Sequence, residues 1–151
     1  MTSWLSLVFQ VAKIRSVFHL IYTSIANRGV SEVELKDLLT KARINNSTIG
    51  ITGLLIYKDR RFMQLIEGDE KAVQELMVKI KADDRHRGIL ILQTGHSKER
   101  EFTDWSMAFR SPESQLANDL SDPAELAFTE EALARHSSNA TKLLRLFEKH
   151  I

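Results

Sequence analysis

Two apolar runs at residues 51–59 (ITGLLIYKD) and 61–68 (RFMQLIEG) stand almost back to back, with room between them for nothing longer than a tight turn at Asp59 and Arg60. Both are rich in residues that suit a pleated surface, so the spacing predicts an antiparallel hairpin. A stripe of helical period lies on each side of this hairpin. Before it, Leu35, Leu38, Leu39 and Ala42 repeat at i, i+3, i+4 and i+7, behind a Ser31/Glu34 capping box. After it, Val73, Leu76, Met77 and Ile80 repeat in the same way, with Asp69 and Glu70 at the helix end where acidic groups are favoured.

Further strands flank the helices. VFHLIY at residues 17–22 runs into a polar loop over residues 23–30, and ILILQ at residues 89–93 is a fourth strand. Trp105, Met107 and Phe109 alternate in a fifth. The order β, α, β, β, α, β, β predicts an α+β, ferredoxin-like sandwich: a five-stranded mixed sheet with two helices on one face. C-terminal helices are expected to follow, because Pro123 marks a helix start and Ala140, Leu143, Leu144 and Phe147 form an apolar stripe. Met63 and Leu65 make the second face of the sheet apolar as well, so that face is expected to be covered. The chain divides into an N-terminal extension (1–16), a core domain (17–110) and a helical segment (111–151), one ordinary domain's worth in 151 residues.

Composition narrows the chemistry. Lys and Arg number 21 against 20 Asp and Glu, a net charge of +1, so no broad attraction to nucleic acid or anionic membrane is implied. No apolar run is long enough to span a bilayer, and the stretch at residues 4–12 lacks the flanks of a signal peptide, so the chain reads as soluble and cytoplasmic. Cysteine is absent, which removes disulfides, thiolate metal sites and thiol chemistry. The five histidines lack close metal-ligand spacing, and no phosphate loop, dinucleotide fingerprint or nucleophile elbow occurs, so neither a metal site nor an enzyme is expected.

What remains is a set of polar side chains on apolar elements. Gln64 shares a strand face with Phe62 and Ile66. Buried there without partners, its amide costs about 1 to 3 kcal/mol per unsatisfied group. Asn46 falls on the inward stripe of the first helix, and Tyr22 is in phase with Phe18 and Leu20. Each has a plain structural explanation: a strand-edge glutamine bonded to backbone, a helix-capping asparagine, a core tyrosine with a satisfied hydroxyl.

Together with their surroundings they point further. LIYTSIA (20–26), ARINNSTIGITGLLIY (42–57), FMQLIEG (62–68), KADDRH (81–86) and FTDWSMAF (102–109) resemble, in order and spacing, the BLUF family of blue-light sensors that use FAD. The resemblance implies non-covalently bound FAD. Tyr22 then matches the family's photoactive tyrosine, Gln64 its switching glutamine and Asn46 the asparagine at the flavin's hydrogen-bonding edge. Asn45, Arg85 and His86 match positions lining the flavin or its phosphate-bearing tail. Trp105 and Met107 match the positions that carry the signal. A ring slotted between the helices would lie between residues such as Leu38 and Ile80.

The implied mechanism is light-driven electron and proton transfer from Tyr22 that rearranges the Gln64 hydrogen bonds. The residues after Arg110 are too few for a typical independent effector domain. Output is therefore expected through the C-terminal segment to a separate regulator protein or through a homo-oligomer, with no direct nucleic-acid or membrane partner. Two alternatives stand beside this reading. One is a light-insensitive interaction module on the same scaffold; the other is an acylphosphatase-like hydrolase in which Arg43 and Asn46 hold a phosphoryl group.

Overall fold

The computed structural model describes residues 16–102 and 107–110, with side chains described up to Met107. Its elements are β1 (Val17–Ala26), α1 (Glu32–Thr48), β2 (Thr52–Lys58), β3 (Arg61–Gly68), α2 (Glu70–Ala82), β4 (His86–Ser97) and β5 (Ala108–Arg110). The strands form a five-stranded sheet in the order β4-β1-β3-β2-β5. β1 pairs antiparallel with both β3 and β4, and β2 antiparallel with β3, the ferredoxin-like arrangement. β5 adds parallel to β2, making the sheet mixed.

Strand boundaries differ from the sequence expectation in β1, β4 and β5. β1 continues through Thr23–Ala26, and β4 starts at His86 and runs to Ser97, well beyond ILILQ on both sides. These ends pair with each other, Ile25 opposite Arg87 and Ala26 opposite His86, so ladder hydrogen bonding extends both strands where side-chain pattern alone reads as loop. The expected fifth strand is short, and Met107 immediately precedes it. Trp105 and the C-terminal helices fall outside the described residues.

The hairpin turn is as its spacing predicts. Asp59 and Arg60 both take positive φ, 50° and 64°, as a two-residue type I′ turn requires. The strained Arg60 is held by its surroundings: its carbonyl accepts from Ala26 N at 2.7 Å, and its guanidinium donates to the Ala26 and Asn27 carbonyls. Gly53 has a different reason to be glycine. A Cβ at this position would sit 2.0 Å from the Leu65 carbonyl oxygen across the ladder.

Helix ends follow their sequence signals. The Ser31 side chain accepts from Glu34 N at the start of α1, and Asp69 accepts from Ala72 N at the start of α2. Both helices pack on one face of the sheet, where Leu35, Leu39, Val73 and Met77 join Phe18, Leu20, Leu55 and Ile66 in the core. On the other face Ile21, Leu54, Ile56, Met63 and Leu65 are also buried, matching the expectation of a sheet covered on both sides.

Candidate functional site

Between α1 and α2, above the centre of the sheet, lies a cavity of about 610 Å³, within the size range of small-molecule sites. Leu38 and Leu76 form apolar walls with Leu55 and Ile80, while Tyr22, Asn46 and Gln64 bring polar atoms to the interior. Asn45, Arg85 and His86 line it too, and Arg28, Lys41 and Lys79 add positive charge. All eight residues expected from sequence to touch a cofactor therefore converge on one space.

The sheet register makes the central pairing. Tyr22 on β1 stands directly opposite Gln64 on β3, so both side chains rise from the same face into the cavity. The Tyr22 hydroxyl donates to Gln64 Oε1, and Gln64 Nε2 donates in turn to Met107 Sδ at 3.4 Å. All three residues are buried. Burial pushes the Tyr22 phenol far above the usual tyrosine range, with the negative charge of Asp83 acting in the same direction. Tyr22 is therefore a neutral phenol that keeps its proton and points it at an amide oxygen. Gln64 has two N–H donors, and sulfur is a weak acceptor, so the amide retains donor capacity toward a ligand.

Asn46 answers its own question. It is not the capping residue, which is Ile49: Asn46 lies inside α1, its main-chain carbonyl accepts from Ile49 N and Ile51 N, and its side chain is buried against the cavity. At the far end, the Asp83 carboxylate grips the Arg85 guanidinium. That bond holds Asp83 below the ordinary carboxylate range and raises Arg85. His86 has both ring nitrogens engaged inside the protein, Nε2 with the Ile80 carbonyl at 2.6 Å and Nδ1 with Ser24 Oγ at 2.8 Å. A carbonyl can only accept, so Nε2 carries a proton, and His86 shapes the wall with its ring.

Sequence reasoning passed over Glu67. It lies on the opposite sheet face from Gln64, nearly inaccessible, and its carboxylate accepts from Thr52 Oγ1, Glu101 N and Phe102 N. Arg100 adds bonds to Thr52 Oγ1 and the Glu67 carbonyl. Glu67 thus pins the segment that leads toward Met107. The available signal was a carboxylate in a largely apolar strand, since a buried charge demands partners. Arg43, offered above as a phosphoryl ligand, is not on the cavity; its Nε donates to the Met107 carbonyl. The hydrolase alternative loses its cation.

Fold and site together define a ferredoxin-like domain with a cavity of apolar walls and polar interior atoms between two helices, over a buried tyrosine–glutamine pair. The BLUF family, sensors of blue-light using FAD, matches residues 17–108, and the chain belongs to it. It is a blue-light sensor domain and its cofactor is a flavin. The cavity suits that cofactor: apolar walls for the faces of a ring, and the amides of Asn46 and Gln64 for its polar edge.

Solved structures agree. BlrB, a BLUF protein in its dark state, is 31% identical with a TM-score of 0.64, over 80% of this chain and 97% of that one. BlsA in its photo-activated state is 30% identical with a TM-score of 0.63, over 85% of this chain and 94% of that one. Among curated proteins, the photoactivated adenylate cyclase subunit beta of Euglena gracilis is 37% identical over 73 residues, covering 48% of this chain. That match spans only 8% of the cyclase subunit's length.

Proposed function

We propose that Tyr22 and Gln64 form the photoactive pair of this sensor and that the rearranged Gln64 amide carries the signal to Met107. The observation that supports it is the buried relay Tyr22 Oη to Gln64 Oε1, Gln64 Nε2 to Met107 Sδ, whose first two members line the cavity. Bound oxidised flavin supplies absorption of blue light and, once excited, an electron acceptor. Tyr22 gives up an electron and passes its hydroxyl proton toward Gln64, and both return to it when the charge recombines. The Gln64 side chain is left with a changed set of hydrogen bonds, which alters the bond it offers to the ligand's carbonyl edge. Asn46 holds that edge in register. Leu38 and Ile80 keep water from the ring faces, and Arg85 with the neighbouring lysines favours the phosphates.

Signal output passes through Met107 and Trp105 to residues 111–151, and from there to a regulator protein or to other copies of the chain. The long cyclase relatives carry far more chain than this one. BlrB and BlsA match this chain over nearly the whole of their solved chains.

Absorption spectroscopy of the purified protein tests the reading. It is expected to be yellow, to shift a little to the red under blue light and to revert in darkness. Tyr22→Phe and Gln64→Leu are expected to keep flavin and lose the lasting shift. A normal photocycle in Tyr22→Phe would remove the tyrosine from the electron route. Flavin binding with no spectral change in the parent would favour a light-insensitive module.

A further inference from the structure

Met107 is held from two directions. Its sulfur receives Gln64 Nε2, and its main-chain carbonyl accepts from Arg43 Nε at 3.0 Å. Arg43 lies on α1 one turn before Asn46, so the helix that borders the cavity also grips the chain just ahead of β5. The bond joins residues 64 positions apart and is partly buried, where hydrogen bonds to a cation are strong.

We propose that Arg43 is a positioning residue that latches the Met107 main chain in the resting arrangement and so sets how long the light-driven state persists. The inference rests on the photocycle proposed above. In the resting arrangement Gln64 turns an N–H toward the sulfur. An amide that has reversed turns its oxygen there instead, setting acceptor against acceptor, and Met107 has to withdraw. Met107 is 1% exposed, and close packing leaves a buried side chain little room to move alone, so withdrawal moves its main chain and stretches the Arg43 bond. The latch therefore disfavours the altered state and speeds the return from it.

The test uses the flavin-loaded protein and reads the dark spectrum, the light-induced shift and the recovery rate. Arg43→Met keeps the aliphatic stem and removes the donors. It is expected to retain the dark spectrum and the shift while slowing recovery roughly five- to twenty-fold, the loss of one charge-assisted bond. Arg43→Lys, which restores a donor, should return most of the rate. Because the latch acts through the methionine, Arg43→Met placed in a Met107→Leu background should change recovery by less than about twofold. Recovery at the parent rate in Arg43→Met, or an equal slowing in both backgrounds, would overturn the latch.

An infrared measurement reads the Met107 main chain directly. With methionine labelled at its carbonyl, the light-minus-dark infrared spectrum should contain a labelled amide band that vanishes in Met107→Leu. Absence of that band refutes the latch while leaving the photocycle intact. A parent without a red shift refutes the sensor mechanism, and the latch with it.

Discussion

Replacing Glu67 with alanine should cost the domain about 2 to 4 kcal/mol, although Glu67 touches neither the cavity nor the photoactive pair. Its carboxylate accepts at 2.7 Å from Phe102 N, 2.9 Å from Glu101 N and 2.8 Å from Thr52 Oγ1. Glu67 is only 2% exposed, so water does not replace it easily. Two main-chain donors then lose an acceptor at about 1 to 3 kcal/mol each, offset in part because a buried carboxylate no longer has to be desolvated. Glu67→Gln is milder, at about 1 to 2 kcal/mol, since one oxygen survives and the amide nitrogen faces a main-chain N–H, donor against donor. Urea unfolding followed by circular dichroism gives the totals. Hydrogen exchange at the amides of residues 101 and 102 locates the loss, and both should exchange faster than in the parent. If Glu67→Ala unfolds within about 0.5 kcal/mol of the parent, the carboxylate is not the anchor of this segment and the argument from its hydrogen bonds fails.

Two further outcomes follow from the fold. Gly53→Ala drives a Cβ to 2.0 Å from the Leu65 carbonyl, and because that contact is with backbone in the middle of the β2/β3 ladder, a loss of about 3 kcal/mol or more is expected, read as a lowered urea midpoint and reduced flavin retention. His19 is buried, and desolvation holds its pKa below 6.5, against the opposing pull of Glu101 and Glu67 and with the aid of His96. The unfolded chain therefore binds this proton first, so stability should fall as pH drops below about 6.5, and comparing urea midpoints of the parent and His19→Gln at about pH 7.5 and 5.5 should show a smaller acid loss in the variant. An unchanged pH dependence would show that the slope comes from other groups.

The two helices, the hairpin and its turn were legible because each depends on local pattern. Ser31 with Glu34, the Leu35–Leu39 stripe and the two-residue gap between the hairpin strands determine their structures from neighbours a few positions away. The ends of β1 and β4 were not legible, since Thr23 to Ala26 and His86 to Ile89 are strands by virtue of pairing with each other across the fold. Of the site, Tyr22, Asn46 and Gln64 stood out as polar residues on apolar faces. Glu67 did not, and Arg43 entered only as a candidate phosphoryl ligand, because their partners are main-chain groups of residues 107 and 101–102, and no side-chain pattern announces a bond to a distant carbonyl or amide.

By itself the sequence determined the periodicities, the capping residues, the tight turn and the family to which the chain belongs, each written in short motifs that survive without coordinates. The pairing of Tyr22 with Gln64 was decided by the β1/β3 register, which sets two side chains 42 positions apart on the same face. Tertiary structure likewise decided that Met107 is gripped at its sulfur and its carbonyl by different elements. Such contacts depend on which faces meet once the sheet and helices have packed, and a hydrogen bond is sensitive to a few tenths of an ångström that no local propensity specifies.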